Sequence, residues 1–138
     1  MIDRELFEAI KNKYGYIASW AVWDVAGDKP KSNIGNMRIF EDEFCGDTLK
    51  SLNVDVVMVG LNFSRDVKFE KPFMNFHDSS PHGNDFKIRY AFKDTPFYGA
   101  YMTDIIKNLA MTSSKEVLQY LKTNPDVIDE NIKYFREE

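Results

Sequence analysis

Two short stretches and one long segment hold the side chains of this sequence that suit chemistry. Gly60-Leu61-Asn62-Phe63-Ser64 and Met102-Thr103-Asp104-Ile105 each close an apolar run. Between them lie Pro72-Phe73, Asn75, Phe76, His77, Asp78, His82, Gly83 and Asn84. Amides, a carboxylate and aromatic rings converging on one edge would suit a pocket for a planar, hydrogen-bonding ligand. A plainer role stands beside it: Gly60 and Asn62 form a turn, and Asp104 caps the next stretch of chain. His77, Asp78, His82 and Asp85 match no metal-ligand spacing, so no metal and no cofactor is expected. Ser64 sits in Gly-Leu-Asn-Phe-Ser, which is not the Gly-x-Ser-x-Gly of a serine hydrolase. A glycine-rich phosphate loop is absent. Arg65, Lys68 and Lys71 could touch phosphates, although a solvated loop is the commoner role for such a stretch.

The elements that must position these residues can be read from pattern. Asp3 is placed to cap a first helix with Leu6, Ile10 and Tyr14 on one face and Gly15 at its end. Tyr16 to Trp23 reads as a strand or a buried helical turn, with Trp20 and Trp23 in the core. Asp28 to Asn36 reads as a loop. A second helix is expected from about Phe40 to Leu52, burying Phe44, Thr48 and Leu52, with Glu41-Asp42-Glu43 in its first turn. Val54 to Gly60 is nearly all apolar and β-branched, which predicts a central parallel strand covered on both faces. Asp85 to Phe92 is expected to be helical, and Tyr98 to Ile106 to form a second central strand. Ser113 or Ser114 caps a helix carrying Val117, Leu118 and Leu121. Pro125 opens a last helix with Ile128, Ile132 and Phe135 on one face. The order predicts an α/β fold: three layers, α/β/α, around a short parallel sheet.

Composition bounds the function. A chain of 138 residues fits one domain, 1–138. The net charge of −4 gives no global pull toward phosphate, so a nucleic-acid partner would need a local basic face. Aromatic residues reach 14%, enough for rings both to fill a core and to stack on a ligand. The single Cys45 excludes an intrachain disulfide or a cysteine-ligated cluster and suits a small buried hydrophobe. The charged amphipathic start is unlike a secretory signal, and no apolar run approaches the roughly 20 residues of a membrane span. A cytoplasmic location, with no membrane partner, is the expectation.

Three of these stretches resemble the uracil-DNA glycosylase superfamily. Val59-Gly60-Leu61-Asn62-Phe63-Ser64 is similar to its first motif, a strand ending in Gly-x-Asn-Pro or Gly-x-Asp-Pro. Pro72-Phe73 is similar to the Pro-Phe found next in several branches. Tyr101-Met102-Thr103-Asp104-Ile105-Ile106-Lys107 is similar to the strand reading Tyr-Ile-Thr-Asn-Val-Val-Lys. Order and approximate spacing agree over about Val54 to Lys107. The resemblance implies a DNA N-glycosylase of base-excision-repair type, acting on a damaged or deaminated base without a metal. Asn62 would then orient a water as the catalytic residue. Gly60, Leu61, Phe63, Ser64, Phe73, Asn75, Phe76, Thr103 and Asp104 would line the base site, with Phe73 or Phe76 stacking on the base.

The chain departs from that pattern at three places. Phe63 stands for the motif proline, and Asp104 stands for the asparagine that reads uracil. The late His-Pro-Ser motif has no counterpart, so the chain is expected to stop before the fold is complete. An ionised Asp104 only accepts hydrogen bonds, which suits a base edge presenting two N–H groups better than uracil. Two further readings stay open: a non-catalytic nucleobase or nucleic-acid binding module, and an unrelated small-molecule hydrolase or interaction protein.

Overall fold

The computed structural model describes residues 2–41, 45–64 and 69–138. Among these are five α-helices and three strands, in a mixed α/β arrangement. In chain order they are α1 (Arg4–Tyr14), β1 (Ala18–Trp20), α2 (Cys45–Ser51), β2 (Asn53–Asn62), α3 (Asp85–Phe92), β3 (Ala100–Ile106), α4 (Ser114–Thr123) and α5 (Pro125–Glu137). A short 3-10 helix, Met37–Phe40, precedes α2. The expected Glu41–Glu43 turn and Phe44 fall largely outside the described residues, as do Arg65 and Lys68.

The strands form one sheet in the order β1-β3-β2. It is mixed, which corrects the expected parallel sheet. The Asn53 N–H donates to the Gly99 carbonyl at 2.8 Å, so β2 and β3 start at the same end and run parallel. Ala21, just past β1, donates to Ala100 at the start of β3 (2.8 Å) and accepts from Gly99 (2.9 Å). The end of β1 therefore meets the beginning of β3, and this pair is antiparallel. Gly99 adopts φ +84°, and a Cβ there would lie 1.9 Å from the Ser51 carbonyl oxygen. Only glycine lets the chain turn into β3 this close to the end of α2.

A second correction concerns β2. It is an edge strand, with Val54, Val57, Val59 and Leu61 exposed. An unbroken apolar run carries no alternation, so its sequence gives no sign that one face stays open. β3 is the strand in the middle, with Ala100, Met102, Thr103, Asp104 and Ile106 buried.

The chain divides into two compact units. The first comprises Met1–Met58 and Phe69–Met102. The Asp3 carboxylate caps α1 by accepting from the Leu6 N–H at 2.8 Å, as predicted. The helix buries Phe7 rather than Leu6, which is half exposed. Gly15 ends α1 in an ordinary right-handed conformation, so its role is spatial: a Cβ there would lie 2.7 Å from that of Pro72. Trp20, Trp23, Phe40, Cys45 and Phe73 are buried in this unit. Arg89 of α3 is buried too and donates to the carbonyls of Ser32 (2.7 Å) and Pro30 (2.8 Å), tying α3 to the loop before the 3-10 helix.

The second unit comprises Val59–Lys68 and Thr103–Glu138. Ser113 caps α4, and Pro125 stands at the start of α5. Val117 is fully buried, but Leu118, Ile128 and Ile132 are exposed, and the residue α5 buries is Asn131. The apolar face predicted for α5 is therefore not the face this unit encloses. Among the described residues no helix is long and apolar enough to cross a membrane.

Candidate functional site

Asn62 closes β2 and is held by its amide nitrogen. Nδ2 donates to the carbonyls of Phe63 (2.7 Å), Leu109 (3.0 Å) and Met111 (2.9 Å). The Phe63 carbonyl also accepts from the Met111 N–H at 3.0 Å. The side chain thus clamps the turn after β2 to the segment after β3, at the carboxyl ends of two parallel strands. Three carbonyl partners fix which amide atom is nitrogen, and Oδ1 has no donor among the described residues. What the clamp leaves is one oriented acceptor. Around it, Gly60 and Phe63 are half-buried, while Leu61 and Ser64 are exposed.

Thr103, Asp104 and Lys107 are buried in the same unit. The Lys107 ammonium donates to Thr103 Oγ1 (2.8 Å) and to the Asp104 carbonyl (2.9 Å), and pairs with the Glu138 carboxylate. Thr103 Oγ1 in turn donates to Glu138 Oε2 at 3.1 Å. The Phe135 ring centroid lies 5.5 Å from Lys107 Nζ. Asn131 Oδ1 accepts from the Lys107 N–H at 2.7 Å, and its Nδ2 donates to Asn108 Oδ1 (2.7 Å) and the Val127 carbonyl (2.8 Å). A buried cation in such a place needs partners, and each one here is met by a hydrogen bond.

The other sequence-selected residues belong to the first unit. Phe73 and Phe76 both adopt φ +65°, a left-handed conformation that bulky residues rarely take. Phe73 is held there by its neighbours. Its N–H donates to the Gly15 carbonyl, and its carbonyl accepts from Ser19 Oγ at 2.7 Å. Its ring is fully buried, 5.4 Å from Phe7 and 5.1 Å from Phe40. Asn75 is buried, with Nδ2 donating to the Ile17 carbonyl (3.1 Å) and Oδ1 accepting from the Phe76 N–H (3.1 Å). Phe76 is half-buried and keeps some accessible surface. Asn62, Phe63, Thr103 and Asp104 therefore share one unit, and Phe73, Asn75 and Phe76 share the other.

His77 is fully buried beside Trp23 and Phe40, 3.0 Å from Ser19 Oγ through Nε2. Burial pushes its pKa from 6.5 down to about 4. The carbonyls of Trp20 and Ile34 oppose that fall, and the Arg89 charge adds to it. Nδ1 has no well-formed hydrogen bond. His77 is therefore a neutral core residue. His82 is exposed, and among the described residues no group of three His, Cys, Asp or Glu could hold a metal. A groove of about 260 Å³ opens in the first unit over Trp23 and Ile39, bordered by Asp24, Arg38 and Asp47. None of the sequence-selected residues lines it.

Sequence reasoning missed Glu138 and Asn131 as partners of β3. Asn131 sits on a helix that reads as amphipathic and Glu138 caps its end, and the apolar stripe drew attention from the polar residues that are enclosed. No family model matches the chain, and neither a curated protein nor a solved structure does.

Proposed function

We propose that this chain handles a nucleobase on a three-layer, uracil-DNA glycosylase-like scaffold and hydrolyses the N-glycosidic bond of a damaged or deaminated base in DNA. The observation that carries the reading is the state of Asn62. Its NH2 is spent on three carbonyls, so its Oδ1 is fixed in direction and can hold a water by one of the water's hydrogens. An amide is a weak base, but the sugar carbon becomes cationic as the bond breaks, so a positioned water needs little activation. The C1′–N bond breaks with its electron pair going to the base. The water oxygen bonds C1′, and the released proton neutralises the base. Extracting the base from the stack is the necessary first step. Phe63, half-buried in the same unit as Asn62, is the ring proposed to stack on it.

The test uses the whole chain and single-stranded oligonucleotides with and without uracil. Strand cleavage after alkali is expected for the uracil oligonucleotide. Asn62→Ala should lower it roughly 100-fold, in the range for loss of a positioned proton acceptor. Absence of cleavage with every base-modified oligonucleotide would sink the proposal. A second reading, a non-catalytic base-binding module, is favoured by the purely structural clamp that occupies the Asn62 amide nitrogen. Under that reading the oligonucleotide is retained on a gel and never cut.

A further inference from the structure

We propose that Lys107 and Thr103 form the receiving site for the negative charge on the departing base, and that Glu138 occupies this site at rest. The proposal rests on the glycosylase reading above and supplies the group that reading lacks, a donor aimed at the leaving base.

The Lys107 ammonium is held largely by its own strand. Two of its three N–H bonds go to groups three and four residues back in the chain, the Asp104 carbonyl and Thr103 Oγ1. Those acceptors belong to β3 and do not depend on α5. They fix the ammonium so that its third N–H keeps its direction whether or not Glu138 is there. Thr103 supplies the second donor, since its hydroxyl accepts from Lys107 and donates to Glu138 Oε2. A single oxygen of Glu138 is therefore met by an ammonium and a hydroxyl at once. That oxygen is a planar, anionic acceptor. The carbonyl oxygen of an imide-type base has the same character once the base leaves with the bonding pair. Donors of this kind gain most where water is excluded, and Lys107 is only 7% exposed.

Glu138 is the replaceable member. It caps the C-terminal end of α5, one residue past the last helical turn, whereas Thr103 lies within β3 and Lys107 directly follows it. Swinging its side chain away breaks the ion pair to Lys107 and the hydrogen bond from Thr103, and leaves two buried donors that a ligand oxygen can meet in its place. The ligand class is thus a nucleobase with a carbonyl oxygen next to a ring nitrogen that can carry negative charge, such as uracil.

The probes are free uracil and, separately, inorganic phosphate, with binding to the full chain monitored by NMR titration. Glu138→Ala should bind uracil at least about tenfold more tightly than wild type, the size of one charge-assisted hydrogen bond. Adding Lys107→Met should abolish that gain. Glu138→Gln keeps the shape and removes the charge, and should give an intermediate gain if Glu138→Ala proves too unstable to titrate. Thermal melts of each variant show whether the fold survives. Uracil affinity unchanged in both Glu138 variants, or a gain that persists without Lys107, would overturn the proposal. A gain for phosphate and none for uracil would overturn it as well. Asn62-dependent cleavage alongside an unchanged Glu138 variant would remove this inference and leave the glycosylase reading standing. Lys107-dependent uracil binding with no cleavage at all would remove the glycosylase reading and overturn the charge-receiving role with it, leaving Lys107 as a base-binding group alone.

Discussion

The two units of this chain bury different mixtures of side chain. The first encloses rings: Phe7, Trp20, Trp23, Phe40 and Phe73, with a neutral histidine among them. The second encloses Thr103, Asp104, Lys107, Asn131 and the head of Glu138, and leaves Leu118, Ile128 and Ile132 exposed. A ring core resists rearrangement because any displaced atom leaves a void. A hydrogen-bonded polar core is held by partners that can be exchanged for others of the same chemistry. The contrast assigns rigidity to the first unit and exchangeable ligation to the second, and each assignment can be broken by measurement.

The largest effect is expected at Phe73. Phe73→Ala removes a fully buried ring packed on two others and should cost about 3–5 kcal/mol in urea unfolding. The φ of +65° adds a second test. Phe73→Gly removes the ring but relieves the backbone, so it should cost no more than Phe73→Ala, against glycine's usual disadvantage. A loss under about 1 kcal/mol for either variant would mean that the ring core is looser than its geometry implies.

His77 gives the next effect. Its folded pKa is depressed to about 4 from 6.5, chiefly by burial. The unfolded chain therefore takes up a proton first as pH falls. Stability conferred by keeping this ring neutral is full above pH 6.5 and is lost between about 6.5 and 4. The slope is about 1.4 kcal/mol per pH unit and the total about 3 kcal/mol. His77→Gln, which can still meet Ser19 Oγ, should flatten this part of the profile. An equally steep loss in the variant would show that other groups carry the acid sensitivity.

How much of this was legible in the sequence depends on what kind of signal each feature leaves. Helix starts were readable, because Asp3 and Ser113 are capping residues and Pro125 suits a first turn. β2 and β3 were readable as strands from their β-branched and aromatic runs, whereas Tyr16 to Trp23 left a strand and a buried helical turn both open. The neighbours of each strand were not readable. Nothing in Val54 to Gly60 distinguishes an edge strand from a central one, and the antiparallel entry of β1 is set by distant pairing at Ala100. At the candidate site, Asn62 stood out as a polar residue closing an apolar strand, but the sequence left a plain turn open beside any chemical role. Its clamp onto Leu109 and Met111, and the pairing of Lys107 with Glu138, join positions tens of residues apart by contacts with no local signature.

A smaller effect probes the polar core of the second unit. Asn131→Ala leaves the Lys107 N–H without its acceptor and Asn108 without its donor. The expected cost is about 1–3 kcal/mol, read by denaturation or by faster exchange of the Lys107 amide. Asn131→Asp keeps the acceptor and loses the donor, and should fall between wild type and Asn131→Ala. An Asn131→Ala variant as stable as wild type would show that water takes over these bonds, and that this core is less closed than the ring core.

The smallest difference sets one helix cap of each unit against the other. Asp3 accepts from the Leu6 N–H at 2.8 Å, and Ser113 accepts from the Glu116 N–H at 3.4 Å. Loss of a side-chain cap costs about 1 kcal/mol on average. The Asp3 carboxylate also carries a full charge at the positive end of α1, whereas the serine hydroxyl has only its dipole to offer α4. Asp3→Ala should therefore cost about 1 kcal/mol and Ser113→Ala roughly half of that. Hydrogen exchange at the first-turn amides of α1 and α4 reads each cap locally, without requiring the two units to unfold together. If Ser113→Ala proves the costlier change, α4 depends on its own cap more than on burial of Val117. The second unit would then be held together by local bonds as well as by its polar centre, and the exchange of Glu138 for a ligand would have to leave those bonds intact.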